Sequence, residues 1–330
     1  MNQLWTLYHK EIPQFLQEFA NTPPMLRLKQ VGMNCGCEYT QFPLFRNLAP
    51  YSRFDHSLGV ALIVWHFTGS VEQTLAGLFH DVTTPVFAHV VDFLNGDHLR
   101  QESTEHGVAD CLMASAEVRA LLEKYDVSVE DICDYHRYPI ADNDAPALSA
   151  DRLEYTLGNL FNYGFVDLAQ LRLLYEALVV GCDANGVTEL VFRSPDAASA
   201  FAKLALRTAL VYVADEDRFA MEALALLLRQ ALERGVLQSV DLMTTEPKVI
   251  EKLRADVVCG EKWERFCAFS HILRSAERPQ NGLWLRVDAK RRWIDPLAQG
   301  RGRVSRWDPS FRENLRIFRE MDFSCWLSAE

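Results

Sequence analysis

Apolar residues recur along most of this chain at the three- and four-residue spacing that is typical of amphipathic helices. Breaks in this pattern coincide with Pro, Gly and Asn clusters, as at Asn21-Thr22-Pro23-Pro24. Ser149 precedes one of the helical runs and is a favourable N-cap. The predicted helices cover residues 4–19, about 56–65, 72–80, 104–114, 127–135, 150–160, 168–179, 196–213 and 217–234.

Shorter stretches do not follow the helical spacing. Residues 25–50 are rich in Gly and aromatic residues and predict a loop or a short strand, and residues 139–146 predict a loop. Alternating or β-branched residues predict short strands over 187–192 and 283–287. Since no internal repeat or linker interrupts residues 1–330, the chain is predicted to be one all-α domain, mainly helical with small β additions.

Composition places the chain among globular proteins. Of its 330 residues, 49% are hydrophobic, while Gly and Pro are few. No apolar run approaches the roughly 20 residues that span a bilayer. Residues 1–5 lack the basic and apolar regions of a signal peptide, so a cytoplasmic location and no membrane partner are expected.

The net charge of −11 argues against a nucleic-acid partner, because a phosphate backbone demands clustered Lys and Arg. A small phosphorylated ligand remains compatible with it, since a metal ion and a few Arg residues supply positive charge locally. The eight cysteines are dispersed, and Cys35 and Cys37 form a lone C-x-C. Reduced thiols are therefore expected rather than disulfides or a thiolate metal site.

The most informative chemistry lies in the adjacent pair His80-Asp81. Each of these residues alone is common in an ordinary helix. Together with His56 and Asp151 from other predicted helices, they form a mixed imidazole and carboxylate set that suits one divalent ion. Such a set favours Fe, Mn, Zn or Ni over Ca or a structural thiolate site.

The sequence around these residues resembles the HD superfamily of metal-dependent phosphohydrolases, closest to the deoxynucleotide triphosphohydrolase-like branch. The matching stretches are Met25–Gly32 (MLRLKQVG), Ser52–Val60 (SRFDHSLGV), Ala76–Asp81 (AGLFHD), Val86–His89 with Asp92, and Ala150–Tyr155 (ADRLEY). They occur in the family's order within residues 25–155. The resemblance implies a helical HD core over about 25–160 and a helical C-terminal extension over about 161–330.

The resemblance also implies roles for individual residues. His56, His80, Asp81 and Asp151 would hold a divalent ion (Fe, Mn, Zn, Ni or Mg) that activates water for attack on a phosphate ester or anhydride of a nucleotide or similar small molecule. The other implied roles are acid/base work by His89, oriented by Asp92, phosphate binding by Arg53, a catalytic carboxylate at Glu105, and base or sugar contact by Gln30. Relatives often form homo-oligomers.

Two departures keep alternatives open. Thr84 and Thr104 stand where the branch has His, which leaves triphosphohydrolysis open, and His98, His106 and His136 are the candidates to replace them in space. A non-catalytic module that senses a nucleotide is the alternative function. Arg53 could instead form a structural ion pair with Asp55 or another acid. His89 and Asp92 could instead be a pair on the protein surface. Asp215-Glu216-Asp217-Arg218 is interpreted as a solvated helix junction.

Overall fold

The computed structural model describes residues 2–95 and 107–330, in which helices predominate and strands form two small sheets. The predicted all-α class with small β additions is thereby confirmed. The α-helices are α1 (Asn2–Tyr8), α2 (Gln14–Ala20), α3 (Pro23–Arg27), α4 (Arg53–Thr68), α5 (Val71–Phe79), α6 (Val90–Asn95), α7 (Val108–Ala114), α8 (Ala116–Tyr125), α9 (Val129–Ile132), α10 (Ala150–Asn162), α11 (Leu168–Glu176), α12 (Pro195–Val211), α13 (Asp215–Glu233), α14 (Glu246–Ala255), α15 (Val257–Ala268), α16 (Val304–Trp307) and α17 (Pro309–Arg319).

Several predicted boundaries are wrong. The predicted helix over 4–19 is two helices, because Pro13 has no N–H to continue a helix and instead stands directly before α2. The predicted helix over 168–179 ends at Glu176, and a strand begins at Leu178. In place of a strand over 283–287 there is only an isolated bridge between Leu285 and Leu327.

The strands are β1 (Leu178–Cys182), β2 (Thr188–Phe192), β3 (Ile272–Ser275), β4 (Leu297–Ala298), β5 (Gly302–Arg303) and β6 (Trp326–Ala329). One sheet has the order β1-β2-β4-β5, with β2 and β4 parallel, and β3 pairs with β6 antiparallel. The Leu190 amide of β2 donates to the Leu148 carbonyl at 3.0 Å. This bond ties the larger sheet to the loop immediately before α10.

Side-chain caps fix where three helices begin. Ser52 and Asp55 form a reciprocal capping box at the start of α4, while Ser70 and Ser149 accept from backbone amides at the starts of α5 and α10. As a result, α4 and α10 each begin just before a predicted metal ligand. His80 is the residue directly after α5.

Buried apolar residues form two clusters. The first surrounds α4, α5 and α10 and includes Phe201 and Phe311 from the second half of the chain. The second surrounds α13, α14 and α15 and includes Phe42 and Phe87 from the first half. Each cluster therefore contains residues from both halves of the chain. The division into a core and an extension near residue 160 stays a prediction.

Within the described ranges, no single helix is long and apolar enough to cross a membrane. The pair α12 and α13 meets the length and composition criteria only when taken together, across a bend of 44°.

Candidate metal centre

Helices α4, α5 and α10 bring three predicted metal ligands together. The Nε2 atoms of His56 and His80 lie 3.2 Å apart, and His56 Nε2 lies 3.0 Å from Asp151 Oδ1. His80 Nε2 lies 3.9 Å from the same oxygen. The ligand atoms of these three residues all lie within 4.8 Å of one another. That spacing allows all three to reach one ion, although sequence separates the first from the last by 95 residues.

The other ring nitrogen of each histidine is already hydrogen-bonded. His56 Nδ1 lies 2.6 Å from Glu154 Oε2, and His80 Nδ1 lies 2.8 Å from the Gly77 carbonyl. Both partners are acceptors, so each Nδ1 carries a hydrogen, and each ring presents a lone pair at Nε2 whenever that nitrogen is not protonated. Two lone pairs and a carboxylate oxygen then face one another, and only a proton or a metal ion between them relieves the repulsion. The donor set therefore fits a divalent cation.

Asp81 lies beside this group and is held by two donors. Arg53 Nη1 donates to Asp81 Oδ2 at 2.9 Å, and Thr84 Oγ1 donates to Oδ1 at 2.6 Å. Asp81 Oδ2 lies 3.5 Å from His80 Nε2. The hydroxyl of Thr84, where the resembling family has His, thus orients Asp81. Arg53 is part of a buried ion pair with Asp81, while Asp55 serves the cap of α4.

Burial and charge act in opposite directions on these groups. Burial raises the pKa of Asp81, but Arg53 and the two histidines outweigh it and hold that pKa well below the ordinary value. Burial also raises the pKa of Asp151, but in the metal-free protein a proton shared with His56 and the nearby positive charges outweigh burial and bring that pKa to about 2. Both carboxylates are consequently ionised at neutral pH. For His56, burial lowers the pKa, yet Asp151 and Glu154 raise it to about 10, so the site attracts positive charge.

Sequence reasoning missed the role of Glu154, which holds His56 through the ring nitrogen that points away from the other ligands. Its carboxylate is 1% exposed and accepts from His56 Nδ1, from the Tyr51 hydroxyl and from the Tyr8 hydroxyl. The signal was its position three residues after Asp151, since positions i and i+3 share a helix face. Carboxylates that hold a ligating imidazole fix its tautomer and orientation.

Glu154→Gln is expected to weaken metal binding by about 10- to 100-fold, the usual cost of losing such a supporting carboxylate. The amide keeps the shape but removes the charge that favours the Nδ1–H tautomer of His56. Titration of the metal-free protein with Mn²⁺ measures the effect. Tyr8→Phe is the matched control, because Tyr8 reaches the other oxygen of Glu154 at 3.3 Å; equal losses in both variants would contradict the assignment.

Gly59 of α4 leaves room for the side chain of Glu154, which belongs to α10. A Cβ at this position would lie 2.6 Å from Cγ and Oε1 of Glu154. Gly→Ala inside a helix ordinarily stabilises by about 0.5–1 kcal/mol, but here we expect Gly59→Ala to destabilise by about 1–3 kcal/mol through overpacking. Urea unfolding measures this free energy. Gly77→Ala, whose nearest contacts are 3.3 and 3.4 Å to Val60 and Val64, is the control and should cost less.

His89 and Asp92 form a pair close to the start of α6. His89 Nδ1 lies 2.9 Å from Asp92 Oδ2, and Asp92 is fully buried, whereas the His89 side chain is 29% exposed. Phe87 and Ala88, directly before His89, both have positive φ, 59° and 45°. Few L-residues adopt this conformation, and it turns the chain so that Ala88 and His89 both border the cavity of the metal centre.

One cavity of about 220 Å³ is lined by His56, His80, Asp81 and Asp151 together with His89. Its wall includes the candidate ligands and four tyrosines, and also residues from the second half of the chain. The tyrosines are Tyr135, Tyr155, Tyr163 and Tyr212; the charged residues from the second half are Asp217, Arg218, Asp288, Lys290 and Arg292. Elements before and after residue 160 therefore build the site jointly.

The interpretation of residues 215–218 as a solvated helix junction is wrong. Asp215 and Arg218 are 8% and 2% exposed. Arg218 is buried because it donates to Asp215 and to the carbonyls of Val213 and Val287, and its guanidinium lies 4.5 Å from the Phe323 ring. Paired in this way, a charge is retained inside the protein.

Some predicted site residues are not brought to this cavity. Gln30 is exposed and borders a separate cavity together with Lys29 and Glu246, so the structure does not place it near the metal centre. His136 is half exposed and its Nδ1 lies 2.8 Å from Asp142 Oδ2, whereas its neighbour Tyr135 lines the site. Glu105, with Thr104, His98 and His106, lies outside the described residues.

Comparisons with known proteins give two similarities, and no protein-family model matches the chain. It is 28% identical over 242 residues to the uncharacterized protein YdhJ of Bacillus subtilis, covering 73% of this chain and 71% of that protein. It is 24% identical over 114 residues to the metal-dependent phosphohydrolase cns2 of Cordyceps militaris, covering 34% of this chain and 32% of that protein. Because the second match spans about a third of either protein, it indicates a shared segment rather than a shared activity.

Proposed function

We propose that this protein is a metal-dependent phosphohydrolase that hydrolyses a phosphate ester or anhydride of a nucleotide or similar small molecule. The observation that carries the proposal is the convergence of His56, His80 and Asp151 within 4.8 Å, in a cavity that also holds Asp81 and Arg53. The partial similarity to a protein named a metal-dependent phosphohydrolase supports it. The four cavity tyrosines supply flat apolar surface of the kind that an aromatic base stacks on.

In this proposal His56, His80, Asp81 and Asp151 hold the ion, which when bound supplies a water of lowered pKa and offsets charge on phosphoryl oxygens. Arg53, fixed by Asp81, directs its remaining donors at a phosphoryl oxygen, since a guanidinium matches phosphate geometry. His89 accepts a proton from the attacking water at one ring nitrogen while Asp92 holds the other. Burial, together with Arg292 and Arg53, keeps the pKa of His89 below its ordinary value despite Asp92, which favours the neutral, proton-accepting ring.

The proposal is tested by metal analysis and phosphate release. Protein purified without chelator should contain about one transition-metal ion per chain, and added Mn²⁺ should restore phosphate release after chelation. Nucleoside mono- and triphosphates and simple phosphomonoesters form the substrate panel. Absence of metal, together with no release from any member, would overturn the proposal.

A nucleotide sensor is the second candidate, and Thr84 favours it. Its hydroxyl donates to Asp81 Oδ1, so this position orients a ligand residue and carries no ionisable ring. A sensor would retain the metal and be stabilised by a nucleotide in thermal unfolding without forming product. Formation of product would favour the phosphohydrolase over the sensor.

A further inference from the structure

The segment of residues 287–292 belongs to no helix or strand and contributes part of the cavity wall from the C-terminal half of the chain. No helix or turn interrupts it. Asp288, Lys290 and Arg292 all line the cavity, together with the small buried Ala289. Arg291, between Lys290 and Arg292, does not line the cavity and makes its contacts elsewhere.

Contacts on the other side hold this segment in place. The Val287 carbonyl accepts from the buried Arg218. Arg291 donates to the Met321 carbonyl at 2.6 Å, and its guanidinium lies 4.6 Å from the Phe323 ring. Since residues before and after Lys290 are anchored, the position of the basic residues at the cavity is built into the fold.

Three arginines line the cavity, of which Arg218 is held by its contacts with Asp215 and the carbonyls of Val213 and Val287, while Arg53 and Arg292 make different contributions. Arg53 contacts Asp81 at the metal centre. Burial raises the pKa of Tyr155 to about 12 and holds the pKa of Tyr212 well above its ordinary value, and the positive charge of Arg292 opposes both shifts. The charges of both arginines lower the pKa of His89, which lines the same cavity. Arg53 and Arg292 therefore both contribute positive charge to the one cavity, and Arg53 is the one that contacts a residue of the metal centre.

We propose that Arg292, assisted by Lys290, binds a second anionic group of the ligand, apart from the phosphoryl group at the metal centre. The inference rests on the proposed function, since it names the ligand class of the same cavity: small phosphorylated compounds that carry a further anionic group. Arg53 and the ion already serve the first phosphoryl group. A second guanidinium at the cavity adds charge-assisted hydrogen bonds only for a ligand that carries a second acceptor group able to reach it.

Calorimetric titration of the Mn²⁺-loaded protein with two non-hydrolysable probes tests this. Methylenediphosphonate carries two anionic groups, and methylphosphonate carries one. We expect the wild-type protein to bind methylenediphosphonate at least about 10-fold more tightly, the usual gain from a hydrogen bond to a charged group. Arg292→Gln should reduce that ratio to within about threefold, and Arg292→Lys should restore part of it.

Arg286→Gln is the matched control, because Arg286 is exposed and lies shortly before the segment without bordering the cavity. Its ratio should equal that of the wild type. Equal affinity of the wild type for both probes, or an unchanged ratio in Arg292→Gln, would overturn the inference. A parallel loss of affinity for both probes and of bound metal in Arg292→Gln would also overturn it, because that result indicates a structural role for Arg292. Probe selectivity without phosphate release from any substrate would leave this inference standing while the proposed hydrolase fails.

Discussion

Asp151→Asn is expected to lower the affinity for the divalent ion by at least about 100-fold, the upper end of what even a supporting residue costs, and to abolish phosphate release. Asp151 Oδ1 lies 3.0 Å from His56 Nε2 and 3.9 Å from His80 Nε2, so it is the oxygen that faces both imidazoles. The amide is close in shape but contributes no negative charge. Equilibrium dialysis with Mn²⁺ followed by metal analysis measures the loss.

Asp288→Asn is the control for this variant, because Asp288 lines the same cavity but is exposed and lies outside the group of converging ligands. It should retain one ion per chain. Wild-type metal content in Asp151→Asn, with phosphate release within about threefold of the wild type, would move the metal site elsewhere.

His89→Gln is expected to lower kcat by about 10²–10⁴-fold, the range for loss of a general acid or base, with metal content unchanged. His89 borders the cavity but is separate from the group of converging ligands. His136→Gln is the control, since His136 forms a similar pair with Asp142, at 2.8 Å, outside the cavity. Equal kcat values in the two variants would contradict a proton-transfer role for His89.

The same residue predicts the shape of the pH–rate profile. Burial lowers the pKa of His89 from 6.5, Asp92 raises it, and Arg292 and Arg53 lower it further, with a net shift downward. A base must be neutral, so activity should rise with pH through a midpoint below 6.5. Asp92→Asn removes the contribution that raises the pKa of His89. The acid limb of the variant's pH–rate profile should therefore move to lower pH. Movement to higher pH would exclude His89 as the titrating base.

Local signals in the sequence were sufficient to predict the elements that carry the metal centre. Ser149 before an apolar run predicts the start of α10, and α10 begins at Ala150. The apolar spacing from 72 to 80 predicts α5, which spans Val71–Phe79. Helices of this kind are predictable because caps and periodicity act between residues a few positions apart.

Other parts of the site depend on long-range packing, which one sequence does not reveal. Glu154 gains its role from Tyr8 and Tyr51, which lie 146 and 103 residues away along the chain. One of the partners that compensate the burial of Arg218 is the Val287 carbonyl, 69 residues further on. A run of charged residues predicts solvent exposure, because the sequence alone does not show the distant partners that allow such residues to be buried.

The left-handed turn at Phe87 and Ala88 places opposite demands on one stretch of chain. Positive φ at residues with a Cβ costs roughly 1–3 kcal/mol each, and both residues are buried, so the surrounding core holds them there. Redesign for heat tolerance alone would place glycine at Ala88 to relieve its strain, but not at Phe87, whose fully buried ring contributes more stability than the strain costs. The same exchange would loosen the backbone that aims His89, so this turn is where a thermostabilised variant would trade turnover for stability.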